Sequence, residues 1–183
     1  DALQVRVVDE VYTRNLIDTE IISMCQAKSW WKDVANGRHA VDQYATQHQG
    51  RAPIVQSWEE LGGIILHSQN IRDVNEGTAR LRSFFKINPV TNQPFLLIAP
   101  KCQGFLSELG FCLNPIDGLK HFYAWNMGPN GETIGTTPVD AWNDGCKAAV
   151  YGLIDRFGYV MDSQNQIRKA KRYKHGRRRR KNG

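Results

Sequence analysis

No acidic residue follows Asp162, and that absence divides the chain. Ten of its 24 Lys and Arg fall between Arg168 and Lys181, which leaves residues 1–167 with 14 basic against 18 acidic groups, a net of −4. A run of charge +10 cannot build an apolar core, so the expected organisation is one domain over 1–160 and a basic, flexible tail over 161–183. Long apolar runs are also missing. No stretch approaches the ~20 apolar residues that span a bilayer. The start, Asp1-Ala2-Leu3-Gln4-Val5, lacks the basic-then-apolar pattern of a secretory signal. Neither a membrane partner nor secretion is expected. The chain also lacks an initiator Met, as a piece of a longer protein would.

Cysteine is sparse and scattered. Cys25, Cys102, Cys112 and Cys146 form no Cys-x-x-Cys pair, and His39, His48, His67, His121 and His175 stand at no ligand spacing beside them. A zinc site is therefore not expected, and free thiols in a reducing compartment are. The pattern G-x-x-x-x-G-K-[S/T] is absent, so these residues hold no phosphate-binding loop of the nucleotide-hydrolase type.

What is present is an alternation of short apolar runs and amphipathic stretches. A hydrophobic fraction of 41% is enough for a core. Strands are predicted at Leu3–Tyr12, His39–Val41, Ile64–Leu66 and Phe95–Ile98. Helices are predicted from an Asp18 cap to about Val34, around Trp58–Leu61, over Asn70–Lys86, over Gln103–Leu113 and from Val139 to Phe157. A hairpin turn is expected at Met127–Gly131. Ala141, Gly145, Ala148, Ala149 and Gly152 let the last helix pack closely. The expected fold is α/β, a mixed sheet flanked by helices.

Two acids stand out by position. Asp42 ends a short apolar strand, where parallel sheets place sites, although such an Asp also commonly caps the next turn. Asp144 opens the last helix, with Asp140 one turn earlier. Its ordinary role is compensation of the helix dipole. Paired with Asp42, it gives the oxygen donors that divalent phosphoryl chemistry uses. Arg72, Arg80 and Arg82 form either a solvated helix face or phosphate contacts. The five Trp are expected in the core or as lids.

The ordered series VVDEVY (Val7–Tyr12), HAVDQYA (His39–Ala45), GGIIL (Gly62–Leu66), NIRDVNEGTARLRSFF (Asn70–Phe85) and PVDAWNDGCKAAVYGLI (Pro138–Ile154) resembles the nuclease domain of tailed-phage terminase large subunits. The resemblance covers most of residues 3–160. It implies a ribonuclease H-like fold whose first strand, with the first acidic ligand, precedes this chain. Asp9 and Glu10 are the candidates to replace that ligand. It implies a metal-dependent endonuclease, using two Mg²⁺ or Mn²⁺ ions, that cuts concatemeric double-stranded viral DNA during packaging. Asp42 and Asp144 would be the catalytic metal ligands, with Asp140 and Asn143 supporting them from behind. Many members of that family have His at the equivalent of Asp144 and a further Asp at the equivalent of Lys147, so Lys147 is a departure. Duplex contacts would come from Arg72 and from Arg177, Arg178, Arg179 and Arg180. The implied partners are the packaging ATPase domain, the portal and the small terminase subunit, in the host cell cytoplasm. The competing reading is a catalytically silent DNA-binding or assembly module on the same fold, and a resolvase- or transposase-type enzyme is a third.

Overall fold

The computed structural model describes residues 4–34, 37–47, 52–69, 71 and 73–159. Arg72, the tail 161–183 and its Arg177, Arg178, Arg179 and Arg180 lie outside the described residues. The elements run β1 (Val5–Val7), α1 (Asp18–Gln26), α2 (Trp31–Val34), β2 (His39–Asp42), a 3-10 turn (Gln43–Thr46), α3 (Ile54–Gly62), β3 (Leu66–Gln69), α4 (Val74–Phe84), β4 (Ile87–Asn88), β5 (Gln93–Pro94), β6 (Leu96–Ile98), α5 (Gln103–Glu108), β7 (Asn126–Met127), β8 (Thr133–Ile134) and α6 (Asp144–Phe157).

The fold is mixed α/β, but the described strands do not join one sheet. β1 pairs with β6 and β2 pairs with β3, both parallel, while β4–β5 and β7–β8 are antiparallel two-residue pairs. Helix α6 links the two parallel pairs through side chains instead of a shared ladder. Its Ala149, Gly152 and Leu153 face Val5, Val7 and Leu96 of one pair. Its Tyr151 and Asp155 reach Asp42 and Gln69 of the other. These acceptors and donors sit four residues apart on α6 and so share one face. The core gathers Leu81 and Phe84 of α4, Leu96, Phe105 and the α6 residues Cys146, Val150, Leu153 and Ile154. A Cβ on Gly77 would come 2.9 Å from Val150 Cγ1, so α4 and α6 approach as closely as the missing side chain allows.

Several element ends differ from the sequence expectation for local reasons. Helix α1 starts behind Ile17, not behind an Asp18 cap; the Glu20 carboxylate accepts from the Ile17 N–H at 2.9 Å and satisfies an orphan donor. The third strand starts at Leu66, because Gly63 ends α3 in the left-handed conformation and Ile64 turns into the core. The last helix starts at Asp144, five residues later than Val139. Trp142 holds a positive φ of 53°, which no helix interior accommodates. Its ring is stacked on His121 at 3.6 Å, with the Arg14 guanidinium 3.9 Å from its centroid. All four cysteines are free thiols.

Candidate functional site

The carboxyl ends of the two parallel pairs open onto two different cavities, one on each side of α6. The first, about 520 Å³, is bordered by Asp9, Glu10 and Tyr12 after β1 and by Asp144 and Gly145 of α6. The second, about 210 Å³, is bordered by Asp42 and Tyr44 after β2 and by Lys147 and Tyr151 of α6. Asp42 and Asp144 thus line separate cavities. Tyr151, which touches Asp42, lies seven residues after Asp144, two helical turns or ~10 Å along the axis. Lys147 stands between them.

In the first cavity two of the three acids, Asp9 and Glu10, are occupied. Asp9 accepts from Trp30 Nε1 at 2.9 Å, from Lys28 Nζ and from Lys101 Nζ, each at 3.2 Å. The Trp30 hydrogen bond above all, with the Glu10 N–H and both lysines, holds the Asp9 carboxyl well below the usual range against the opposing effect of burial. Glu10 accepts from Gly104 N at 2.6 Å and Phe105 N at 3.1 Å, closing the first turn of α5.

Glu108 does the same for α6. It is 1% exposed and accepts from Gly145 N at 3.0 Å, Cys146 N at 2.7 Å and the Tyr12 hydroxyl at 3.0 Å. A Cβ on Gly145 would lie 3.1 Å from Phe105 Cα and 3.2 Å from Glu108 Oε2, so glycine is what lets this carboxylate reach the helix end. Burial first, then the Glu108 charge, pushes the Tyr12 phenol up to about 12, which keeps it a donor. The same two causes raise the Cys146 thiol. Glu108 was not among the candidates read from sequence. Its Ser-Glu-Leu context is that of any helical surface acid, and its partners are 37 and 96 residues away.

In the second cavity the carboxylate keeps spare capacity. Asp42 Oδ1 accepts the Tyr44 N–H at 2.9 Å, which is the turn-capping role, and Oδ2 accepts the Tyr151 hydroxyl. A carboxylate offers about four lone-pair sites, so each oxygen retains one. Burial, then the Asp42 hydrogen bond and charge, raises the Tyr151 phenol, so it donates and fixes the carboxylate's orientation. Asp140, Asn143 and Lys147 form one chain: Asp140 Oδ1 accepts from Asn143 Nδ2 at 3.0 Å and from Lys147 Nζ at 2.6 Å. This group supports Lys147, not Asp42. Those two donors, Lys147 first, hold the Asp140 carboxyl below its ordinary value. Arg80 donates to the Phe157 and Gly158 carbonyls and closes the end of α6. Arg82 lies 4.7 Å from the Trp125 ring centroid.

The donor set sets what the second cavity could hold. Asp42 is the only carboxylate among the lining residues named for it, with Tyr44 and Tyr151 beside it. Mg²⁺ is commonly held by one or two carboxylates, waters and substrate phosphate, so one ion fits Asp42. Among the described residues no group of three or more His, Cys, Asp or Glu is placed to hold a metal. A second ion would find no second carboxylate in this cavity. No protein-family model, no curated protein and no solved structure matches the chain.

Proposed function

We propose that this chain is a metal-dependent endonuclease domain that cuts double-stranded viral DNA during genome packaging, with its site in the Asp42 cavity. One observation carries the reading. A carboxylate stands at the carboxyl end of a parallel strand pair, oriented by two donors yet still able to ligate, on an open cavity that also holds a cation. Asp42 would hold one Mg²⁺ or Mn²⁺ ion. When bound, such an ion polarises a phosphoryl oxygen and lowers the pKa of water. Tyr151 keeps Asp42 oriented at the cavity, which the α4 residues Val74 and Gly77 also border. A ribonuclease H-like fold, a packaging ATPase, portal and small terminase subunit as partners, and a place in the host cytoplasm belong to this proposal. No helix among the described residues is long and apolar enough to cross a membrane.

The test is Mn²⁺ binding followed by electron paramagnetic resonance, beside nicking of supercoiled plasmid. Asp42→Asn is expected to abolish both. Asp144→Asn decides whether the first cavity takes part: loss of cleavage with Mn²⁺ binding intact would give Asp144 a role separate from that ion. The second reading, a silent DNA-binding or assembly module, is favoured by the separation of Asp42 from Asp144 and by the absence of a three-acid group among the described residues. DNA binding with neither Mn²⁺ binding nor cleavage would establish it.

A further inference from the structure

Lys147 is a cation on a cavity wall whose other described polar groups are neutral or acidic, and the reading above gives it no contact of its own. It sits one turn before Tyr151 on the same face of α6, so their side chains are neighbours. Its ammonium is held by Asp140 at 2.6 Å, and the two side chains are 39% and 83% exposed. This pair therefore lies at the cavity mouth and its partner can be exchanged. The Tyr123 phenol, beside Thr78 and within the field of Lys147, adds a hydroxyl to the same wall. Lysine binds phosphate as a compact point charge, and hydroxyls complete its hydrogen bonding.

We propose that Lys147, with the hydroxyl of Tyr123, forms a phosphodiester-binding subsite in the Asp42 cavity, and that Asp140 occupies the Lys147 ammonium until a phosphate oxygen displaces it. The inference rests on the reading of this cavity as the nucleic-acid site. Asp42, which would hold one ion, and Lys147, one fixed positive charge, border the same cavity. The Lys147 charge supplies the compensation for which no second carboxylate-bound ion is provided. Asp140 has two consequences. It keeps Lys147 extended toward the mouth, and it competes with the incoming anion.

The experiment reads binding of a short DNA duplex to the 183-residue chain in EDTA, at several salt concentrations, by fluorescence anisotropy. Whatever residues 160–183 contribute is common to every variant. Lys147→Met is expected to lower the slope of log affinity against log salt by about 0.9, the value of one phosphate contact. Lys147→Arg should keep the slope. Asp140→Asn should tighten binding several-fold, because it removes a competing charge and leaves Lys147 in place. A gain that acts through Lys147 should disappear when Lys147→Met is combined with Asp140→Asn. Wild-type affinity and slope in Lys147→Met, or no gain in Asp140→Asn, overturns the subsite. If Lys147→Met does not fold, Asp140→Asn decides alone.

The ¹⁵N resonance of the Lys147 ammonium separates the sources of phosphate. A shift with both inorganic phosphate and duplex assigns the oxyanion. A shift with duplex alone assigns the diester within DNA. Both support the site, and no shift with either ends it. Because binding is read without metal, this outcome is independent of cutting. Loss of the contact in a chain that never cleaves with Mn²⁺ removes the nuclease reading alone. Full Mn²⁺-dependent cleavage and wild-type DNA binding by Lys147→Met removes the subsite alone.

Discussion

The two sides of α6 use carboxylates in opposite ways. After β1 the acids are many, and three are occupied: Asp9 by an indole and two lysines, Glu10 by the start of α5, Glu108 by the start of α6, with Asp144 beside them. After β2 there is a single acid, and its two partners leave lone pairs free. Acidic density alone would favour the first side. Remaining ligand capacity at the carboxyl end of a strand favours the second. The difference teaches that a carboxylate buried against backbone N–H groups belongs to the scaffold, however close it lies to a cavity.

The comparison breaks most sharply at Glu108. Glu108→Ala leaves two helix-end N–H groups and a phenol without their acceptor, at ~1–3 kcal/mol each when buried. A loss of about 4 kcal/mol is expected in urea unfolding. A loss below about 1 kcal/mol would mean that the first side is not scaffold.

Asp9 comes next. Asp9→Asn should cost about 2 kcal/mol at neutral pH, in the range of hydrogen bonds to a charged group. The folded carboxyl titrates below its unfolded value, so its contribution is complete above about pH 4 and is lost as pH falls further. The wild type should therefore lose stability more steeply than Asp9→Asn below about pH 4, as followed by circular dichroism.

On the other side the stability effects shrink and the binding effects grow. Tyr151→Phe removes one hydrogen bond, worth about 1 kcal/mol. It should weaken Mn²⁺ binding by roughly 10-fold or more, as loss of a group orienting a ligand does. Unchanged Mn²⁺ affinity would show that Asp42 needs no orientation by α6. Asp42→Asn should change stability least, within about 0.5 kcal/mol, because the amide keeps an acceptor for the Tyr44 N–H. A large loss there would place Asp42 with Asp9 and Glu108 as scaffold.

The parts legible in sequence were those with local causes. The apolar run ending at Asp42 forms β2, and Gly63 stops α3. Of the small residues of the last helix, Gly145 is closely approached by Phe105 and Glu108 of α5, while Ala149 and Gly152 border a cavity opposite β1 and β6. Position at a strand end marked Asp42 as a candidate, and Asp42 does end β2 beside a cavity. What was not legible depends on partners distant in sequence. Asp144 is a helix-start acid by any local criterion, and only the packing of α6 shows that it faces Tyr12 instead of Asp42. The delayed start of α6 comes from a stack that unites Arg14, His121 and Trp142. The expected single sheet is replaced by two parallel pairs, since three or four residues per strand fix a neighbour's register but say nothing about which edges meet.

The Glu108 carboxylate has a kinetic side as well. Its three donors are contributed by residues 12, 145 and 146, so the first turn of α6 is completed only when segments 96 and 37 residues away have arrived. Contacts of such span carry a loop-closure cost before they give any return, and they form late. Most of α6 can become helical early on its own apolar stripe against α4, while its opening turn waits. Replacing Glu108 should accordingly speed unfolding far more than it slows folding, giving a low φ-value at a residue of high equilibrium weight. The end of the helix that carries Asp144 is then the last part of α6 to assemble and the first to open.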